Sequence, residues 1–308
     1  MSRRPVTRRG LLGGAGAGVL AVGLSACGIR LESGAPAIPG LQTQGPPVDT
    51  AALQATVASR TMALETLAQP SAGLQTSIKP AYRQQLSRLQ AVMASAGMPE
   101  ATSSPTTGTT AKSLVGFETF IRAQLNASTF ARIAGAEAAY VPMLAASSAL
   151  DAGAALSPQG VAAQGPAPAW PTAALPADVA VGLLPAVREA VYGLEVIAAK
   201  SALSGRARVT ATLHTMYPIR AQLEAIAGDA APPLHSTYAL TPDPSTDQAR
   251  TTLARHLLTA VVAACADQAA ATKGSADHVG ALLHVWGTAL TTSWTWGVPP
   301  VAFPGLAE

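Results

Sequence analysis

The sequence predicts an all-α protein built as two tandem four-helix up-down bundles, each with a long crossover between its second and third helices. Three observations carry that prediction. Apolar residues recur three and four apart through successive stretches, the spacing of a buried helix face. No stretch keeps the two-residue alternation of a strand. Both halves repeat one rhythm of helix, tight turn, helix, long loop, helix, tight turn, helix. A helix of ~22 residues is ~33 Å long, and extended chain needs roughly ten residues, at ~3.3 Å each, to run back along it. The long loops exceed that length, so each can cross its bundle from end to end.

Residues 1–27 precede the folded part. Thr7-Arg8-Arg9-Gly10-Leu11-Leu12 sets two adjacent arginines before an apolar run, as in a twin-arginine export signal. Glycines dilute the run from Leu11 to Ala26, and it falls short of the ~20 apolar residues a membrane-spanning helix needs. It ends in Leu24-Ser25-Ala26-Cys27, which resembles the lipobox of bacterial lipoproteins. Cys27 is then expected to become the lipidated first residue of the mature chain, with Arg8 and Arg9 as the export signal. Membrane lipid is the partner this implies, at the outer face of the cytoplasmic membrane. Two or three acyl chains anchor stably where one does not, each buried methylene adding ~0.8 kcal/mol.

Charge follows the same division. The whole chain holds 20 Lys and Arg against 17 Asp and Glu. Arg3, Arg4, Arg8 and Arg9 precede Cys27 and no acidic residue does, so the mature chain carries 16 against 17, a formal −1. The basic character belongs to the signal, and nucleic acid is not an expected partner. Once Cys27 is acylated, Cys265 is the remaining thiol and no internal disulfide can form. Its neighbours Val261, Val262, Ala263, Ala264 and Ala266 mark it as a small core residue.

Residues 28–48 are rich in Gly, Pro and Gln and read as a flexible tether. The first bundle spans 49–150. Asp49 or Thr50 caps a helix running to about Gln69. The second helix, about Leu74 to Ala96, aligns Leu74, Ile78, Tyr82, Leu86, Leu89 and Met93, and Gly97 closes it. A third, from about Ala111 to Gly135, turns Leu114, Phe117, Ile121, Leu125 and Phe130 inward. A short fourth, Ala136 to about Leu150, is interrupted by Pro142. Residues 151–176, dominated by Ala, Gly and Pro, read as an inter-domain linker.

The second bundle spans 177–308. Its helices are expected at about Ala177–Ser201, inward by Val179, Leu183, Val187, Val191, Leu194 and Ile197; Gly205–Ala227, by Val209, Leu213, Tyr217 or Met216, Leu223 and Ile226; Ser245 or Thr246 onward, by Leu253, Leu257, Val261 and Cys265; and from Gly274-Ser275 to Trp294, by Val279, Leu282 or Leu283, Trp286, Leu290 and Trp294. The prolines at 232, 233, 242 and 244 exclude helix between the second and third.

In this half Arg188-Glu189-Ala190-Val191-Tyr192-Gly193, His214 with Arg220-Ala221-Gln222-Leu223, Tyr238-Ala239-Leu240, and Trp294 with Phe303-Pro304-Gly305-Leu306 resemble one family. It is a ferritin-like domain of unknown function carried by exported actinobacterial proteins, often lipoproteins. The resemblance covers residues 176–308 and implies a four-helix ferritin-like bundle without a known activity.

Ferritin-like di-iron proteins use inward glutamates plus a Glu-x-x-His on each of two helices. This chain has no Glu-x-x-His, so catalytic residues and cofactors are not expected. Glu189 and His214, on adjacent helices, are the best candidates for a relic metal pair. His256 and His284 are expected on solvated positions, His278 at a helix start and His235 in the crossover. Helical spacing puts Trp286 and Trp294 in a core rather than a ligand cage. There is no Gly-x-Ser-x-Gly elbow, no phosphate-binding Gly-x-x-x-x-Gly-Lys and no dinucleotide fingerprint.

The expected role is therefore non-catalytic binding or assembly with an envelope protein or ligand. The alternatives are a metal-handling or redox protein with a non-standard site near Glu189 and His214, and a carrier of an apolar ligand between Ala-lined helices.

Overall fold

The computed structural model describes residues 48–67, 74–99, 114–157, 168 and 170–307, and every regular element among them is helical. The export signal with Arg8, Arg9 and Cys27, nearly all of the tether, and much of the linker lie outside the described residues. The α-helices are α1 (Val48–Thr66), α2 (Leu74–Ser95), α3 (Leu114–Gln124), α4 (Ala127–Gly135), α5 (Val141–Leu156), α6 (Ala177–Lys200), α7 (Leu203–Ala227), α8 (Asp247–Gln268) and α9 (Ala276–Thr295). Short 3-10 turns, Gly228–Ala230 and Ala269–Thr272, follow α7 and α8. The described helices all belong to one compact unit.

Three elements differ from expectation. The third predicted helix is two, because Asn126 ends the run: its Oδ1 accepts from the Thr129 amide at 3.1 Å and caps α4. A short amide side chain competes with the backbone for such donors and so favours a cap over a helix interior. The fourth helix begins at Val141, with Pro142 in its first turn where a missing N–H costs nothing. That helix also runs through Asp151, the expected start of the linker, to Leu156. Its alanines and glycine read as linker in sequence, yet they are what lets neighbouring helices close in.

Helix α5 is the centre of the molecule. From Leu144 to Ala155 every residue is buried, the mark of a helix enclosed on all sides. It packs most extensively on α9, and α3 lies against another of its faces. A Cβ on Gly287 would come within 2.6 Å of the Ala152 Cβ, and one on Gly153 within 2.7 Å of the Trp294 ring. The N-terminal helices thus join α9 through α5, and also through α4. Gln85 of α2, fully buried, ties in the C-terminal tail by donating to the Ala302 carbonyl. Asp49, expected as a cap, lies in the first turn of α1, and its Oδ1 accepts from the Glu137 amide at 2.6 Å, fastening α1 to the approach of α5.

Helices α6 to α9 follow the expected stripes. Val179, Leu183, Val187, Val191, Leu194 and Ile197 of α6 are buried, as are Leu253, Leu257, Val261 and Cys265 of α8. On α7 the inward residue is Met216, while Tyr217 is exposed. Thr246 caps α8, its Oγ1 accepting from the Ala249 amide at 3.1 Å, and Ser275 caps α9. Helix α6 packs on α7 and α8, while α9 packs on α8 and α7, closing a ring of four. The connection from α7 to α8 lies along α6. Pro232 accepts from Arg188 at 2.6 Å, Tyr238 meets Tyr192 with ring centroids 5.4 Å apart, and Asp243 pairs with Lys200 at 3.1 Å.

Candidate functional site

Glu189 is half-buried on α6 and His214 is exposed on α7. Among the described residues no group of three or more His, Cys, Asp or Glu is placed to hold a metal ion. His256 and His284 have different neighbours and do not meet in a site. The His256 Nδ1 lies 3.3 Å from the Thr241 carbonyl oxygen, and His284 stacks on Trp170 with centroids 4.9 Å apart. Both remain exposed, and partial desolvation lowers the pKa of His284. His278 is half-buried in the first turn of α9, and His235 is exposed in the crossover, edge-on to Tyr238. Trp286 and Trp294 are core residues. Cys265 is a free, fully buried thiol whose pKa burial pushes well up, so it is no nucleophile.

The string at 188–193 has a structural task. Arg188 Nε donates to Glu224 of α7 at 3.0 Å while its Nη1 holds the Pro232 carbonyl. Tyr192 receives Tyr238, and Gly193 leaves room for Leu257 and Leu240, since a Cβ there would lie 2.4 Å from the Leu257 Cδ1. These residues fasten the crossover and α8 to α6.

Two polar features escaped the sequence reading. The first is a buried ion pair in the N-terminal half. Arg60 of α1 is 2% exposed and donates through both terminal nitrogens to the two carboxylate oxygens of Asp151 on α5. Tyr82 of α2 donates its hydroxyl to Asp151 Oδ1 at 2.7 Å, and its ring lies 5.0 Å below the guanidinium. Burial, the largest single influence on Arg60, would lower its pKa, but the Asp151 charge and hydrogen bonds together with Tyr82 outweigh it and the net shift is upward. Burial, reinforced by the Asp151 charge, raises Tyr82 well above its ordinary value. A cavity of ≈20 Å³ beside Arg60, Ser59 and Asp151 is the size of a single water. The cluster fastens three helices and is too small for a substrate.

The second feature is an open groove of ≈460 Å³ between α7 and α9, floored by Leu156 at the end of α5. Its walls carry Thr212 and Thr215 from α7 and Thr288, Thr291, Thr292 and Thr295 from α9. Threonine in a helix can return its hydroxyl to a carbonyl of the preceding turn. Thr212, Thr215, Thr288 and Thr292 each donate to the carbonyl four residues back, and Thr295 to that of Thr292. With those hydroxyls bound to their own helices, the exposed wall is mostly apolar. Thr291 is the exception, its Oγ1 buried without a partner.

Arg208 lines one end of the groove. Its guanidinium lies 4.1 Å from the Trp296 ring centre and donates to the Thr295 carbonyl. Trp296 is fixed in turn, its Nε1 donating to Thr212 at 2.9 Å and its carbonyl accepting from Arg255 at 2.6 Å. Desolvation, then the neighbouring Arg255 charge, lowers the pKa of Arg208. Among the described residues neither arginine forms an ion pair with a carboxylate. The geometry suits an elongated apolar molecule with an anionic end.

Comparison of the chain with known protein families, with characterised proteins and with solved structures finds no match. Among the described residues no helix is long and apolar enough to cross a membrane.

Proposed function

We propose that this protein is a lipid-anchored, exported protein of the cell envelope whose helical body works by binding rather than by catalysis. In this reading α6 to α9 are a ferritin-like four-helix bundle, and α1, α2, α3 and α5 are its less regular counterpart. The twin-arginine signal around Arg8 and Arg9 directs export, and acylated Cys27 holds the protein at the outer face of the cytoplasmic membrane. The ring of α6, α7, α9 and α8 with its long crossover supports the bundle assignment.

The observation that carries the non-catalytic reading is the chemistry inside that ring. Val187, Val191, Met216, Leu257, Val261 and Trp286 are buried on its four helices. A working di-iron bundle presents glutamates and histidines inward instead. The competing reading, a metal-handling or redox protein with a non-standard site, needs Glu189 and His214 as ligands, and His214 faces solvent.

Protein purified from its native envelope is expected to hold less than stoichiometric iron, manganese or zinc by elemental analysis. Metabolic labelling with a radioactive fatty acid should mark the wild type and spare Cys27→Ala. Stoichiometric metal, lost in Glu189→Ala or His214→Ala, reverses the reading, and equal labelling of Cys27→Ala removes the anchor.

A further inference from the structure

We infer that the groove between α7 and α9 binds a medium-chain fatty acid, its chain along the threonine methyls and its carboxylate on Arg208. This rests on the reading of the protein as a binding protein and supplies the class of ligand.

Three features lead there. The groove, at ≈460 Å³, falls within the range of small-molecule sites. It is also elongated. Arg208 contacts Thr295 and Trp296 at the end of α9, whereas Thr215 lines the groove with Thr288, so the two helices run antiparallel past each other. From Arg208 to Thr215 the axial rise is about 10 Å. Its walls are apolar because the hydroxyls of Thr212, Thr215, Thr288, Thr292 and Thr295 are returned to their own helices. An alkyl chain is the occupant such a wall accepts, since it asks for no hydrogen bonds.

The polar ends decide the head group. Arg208 lines one end of the groove, Arg255 stands behind it on the Trp296 carbonyl, and among the described residues no carboxylate is paired to either. Arg208 uses one terminal nitrogen on the Thr295 carbonyl and keeps further N–H donors for an anion. A carboxylate seated at that end accepts from the guanidinium N–H groups that the Thr295 carbonyl leaves free. A charge-assisted hydrogen bond is stronger than a neutral one, so the head prefers the anion over an alcohol.

The test is calorimetric titration of the purified full chain carrying Cys27→Ala with decanoate and, separately, with decanol, both below their aggregation limits. Because no lipid is attached, the result is independent of whether the anchor reading holds. Decanoate is expected to bind at least about tenfold more tightly than decanol, the size of a charge-assisted hydrogen bond. Arg208→Gln should remove most of that preference and leave decanol within about twofold. Ala211→Trp, substituted at an exposed position of α7 that lines the groove, should abolish binding of both. Circular dichroism melts of the variants confirm that each remains folded. Wild-type affinity for decanoate in folded Ala211→Trp, or equal affinity of the wild type for decanoate and decanol, overturns the inference. Failure of the labelling experiment would leave it standing.

Discussion

Asp151 stands among alanines and a glycine, and nothing within ten residues of it in the chain is a cation. Its partner Arg60 lies 91 residues away. The pair is bidentate and buried, and Tyr82 completes it. A buried ion pair of this kind adds little relative to hydrocarbon of the same volume, because both ions lose their hydration. Removing one partner is another matter. Asp151→Ala leaves the Arg60 charge stranded and is expected to destabilise the protein by about 3–5 kcal/mol in urea denaturation. Replacing both by leucine should restore most of that loss. Equal destabilisation by the single and double changes would show that the pair contributes through packing alone. The same dependence on neighbours explains the groove threonines, polar by type and apolar in effect once their hydroxyls turn back to their helices. Composition shows the type, and only the local backbone decides which atoms face outward.

At the scale of elements, the helix–helix contacts depend on how small the meeting residues are. Gly287 of α9 lies against the Ala152 Cβ and backbone of α5, where an added Cβ would sit 2.6 Å and 2.8 Å from them. Gly205, near the start of α7, has only the Ser201 Cβ near, at 3.8 Å. In both places alanine improves helix propensity by up to about 1 kcal/mol. Gly205→Ala should therefore raise stability by about 0.5–1 kcal/mol. Gly287→Ala should lower it by about 1–3 kcal/mol, since overpacking outweighs the propensity gain. Thermal melts followed by circular dichroism separate the two, and a melting temperature raised by both changes would mean that α5 and α9 can slide apart freely. Helix starts with a serine or threonine cap, at Thr246 and Ser275, were legible in sequence. The break at Asn126 was signalled by the same chemistry but was masked by the continuing apolar period through Leu125 and Phe130.

For the whole molecule, burial of neutral titratable groups sets the alkaline limit. Cys265 keeps its proton in the folded state well above its ordinary value of 9.0, because burial penalises the thiolate. The unfolded chain loses that proton near pH 9, so the contribution of Cys265 is complete below this pH. It is lost above it at about 1.4 kcal/mol per pH unit. Tyr82, raised by burial and by Asp151, adds a second loss above its ordinary value of 10.0. Between pH 8 and 10 the urea midpoint of the wild type should fall further than that of Cys265→Ala, and equal falls would exclude the thiol as the cause. The thiol should also resist alkylation until the protein unfolds.

The sequence by itself determined that the chain is helical, where most helices begin and end, and which stripe of α2, α6, α8 and α9 turns inward. These follow from the 3.6-residue period and from caps, both of which act within a few residues. Only the tertiary structure decided that α5 is a central helix, that Asp151 answers Arg60, and that threonines of α7 and α9 enclose an apolar groove with arginine at its end. Each of these joins segments far apart in the chain, and their chemistry comes into being when the helices meet.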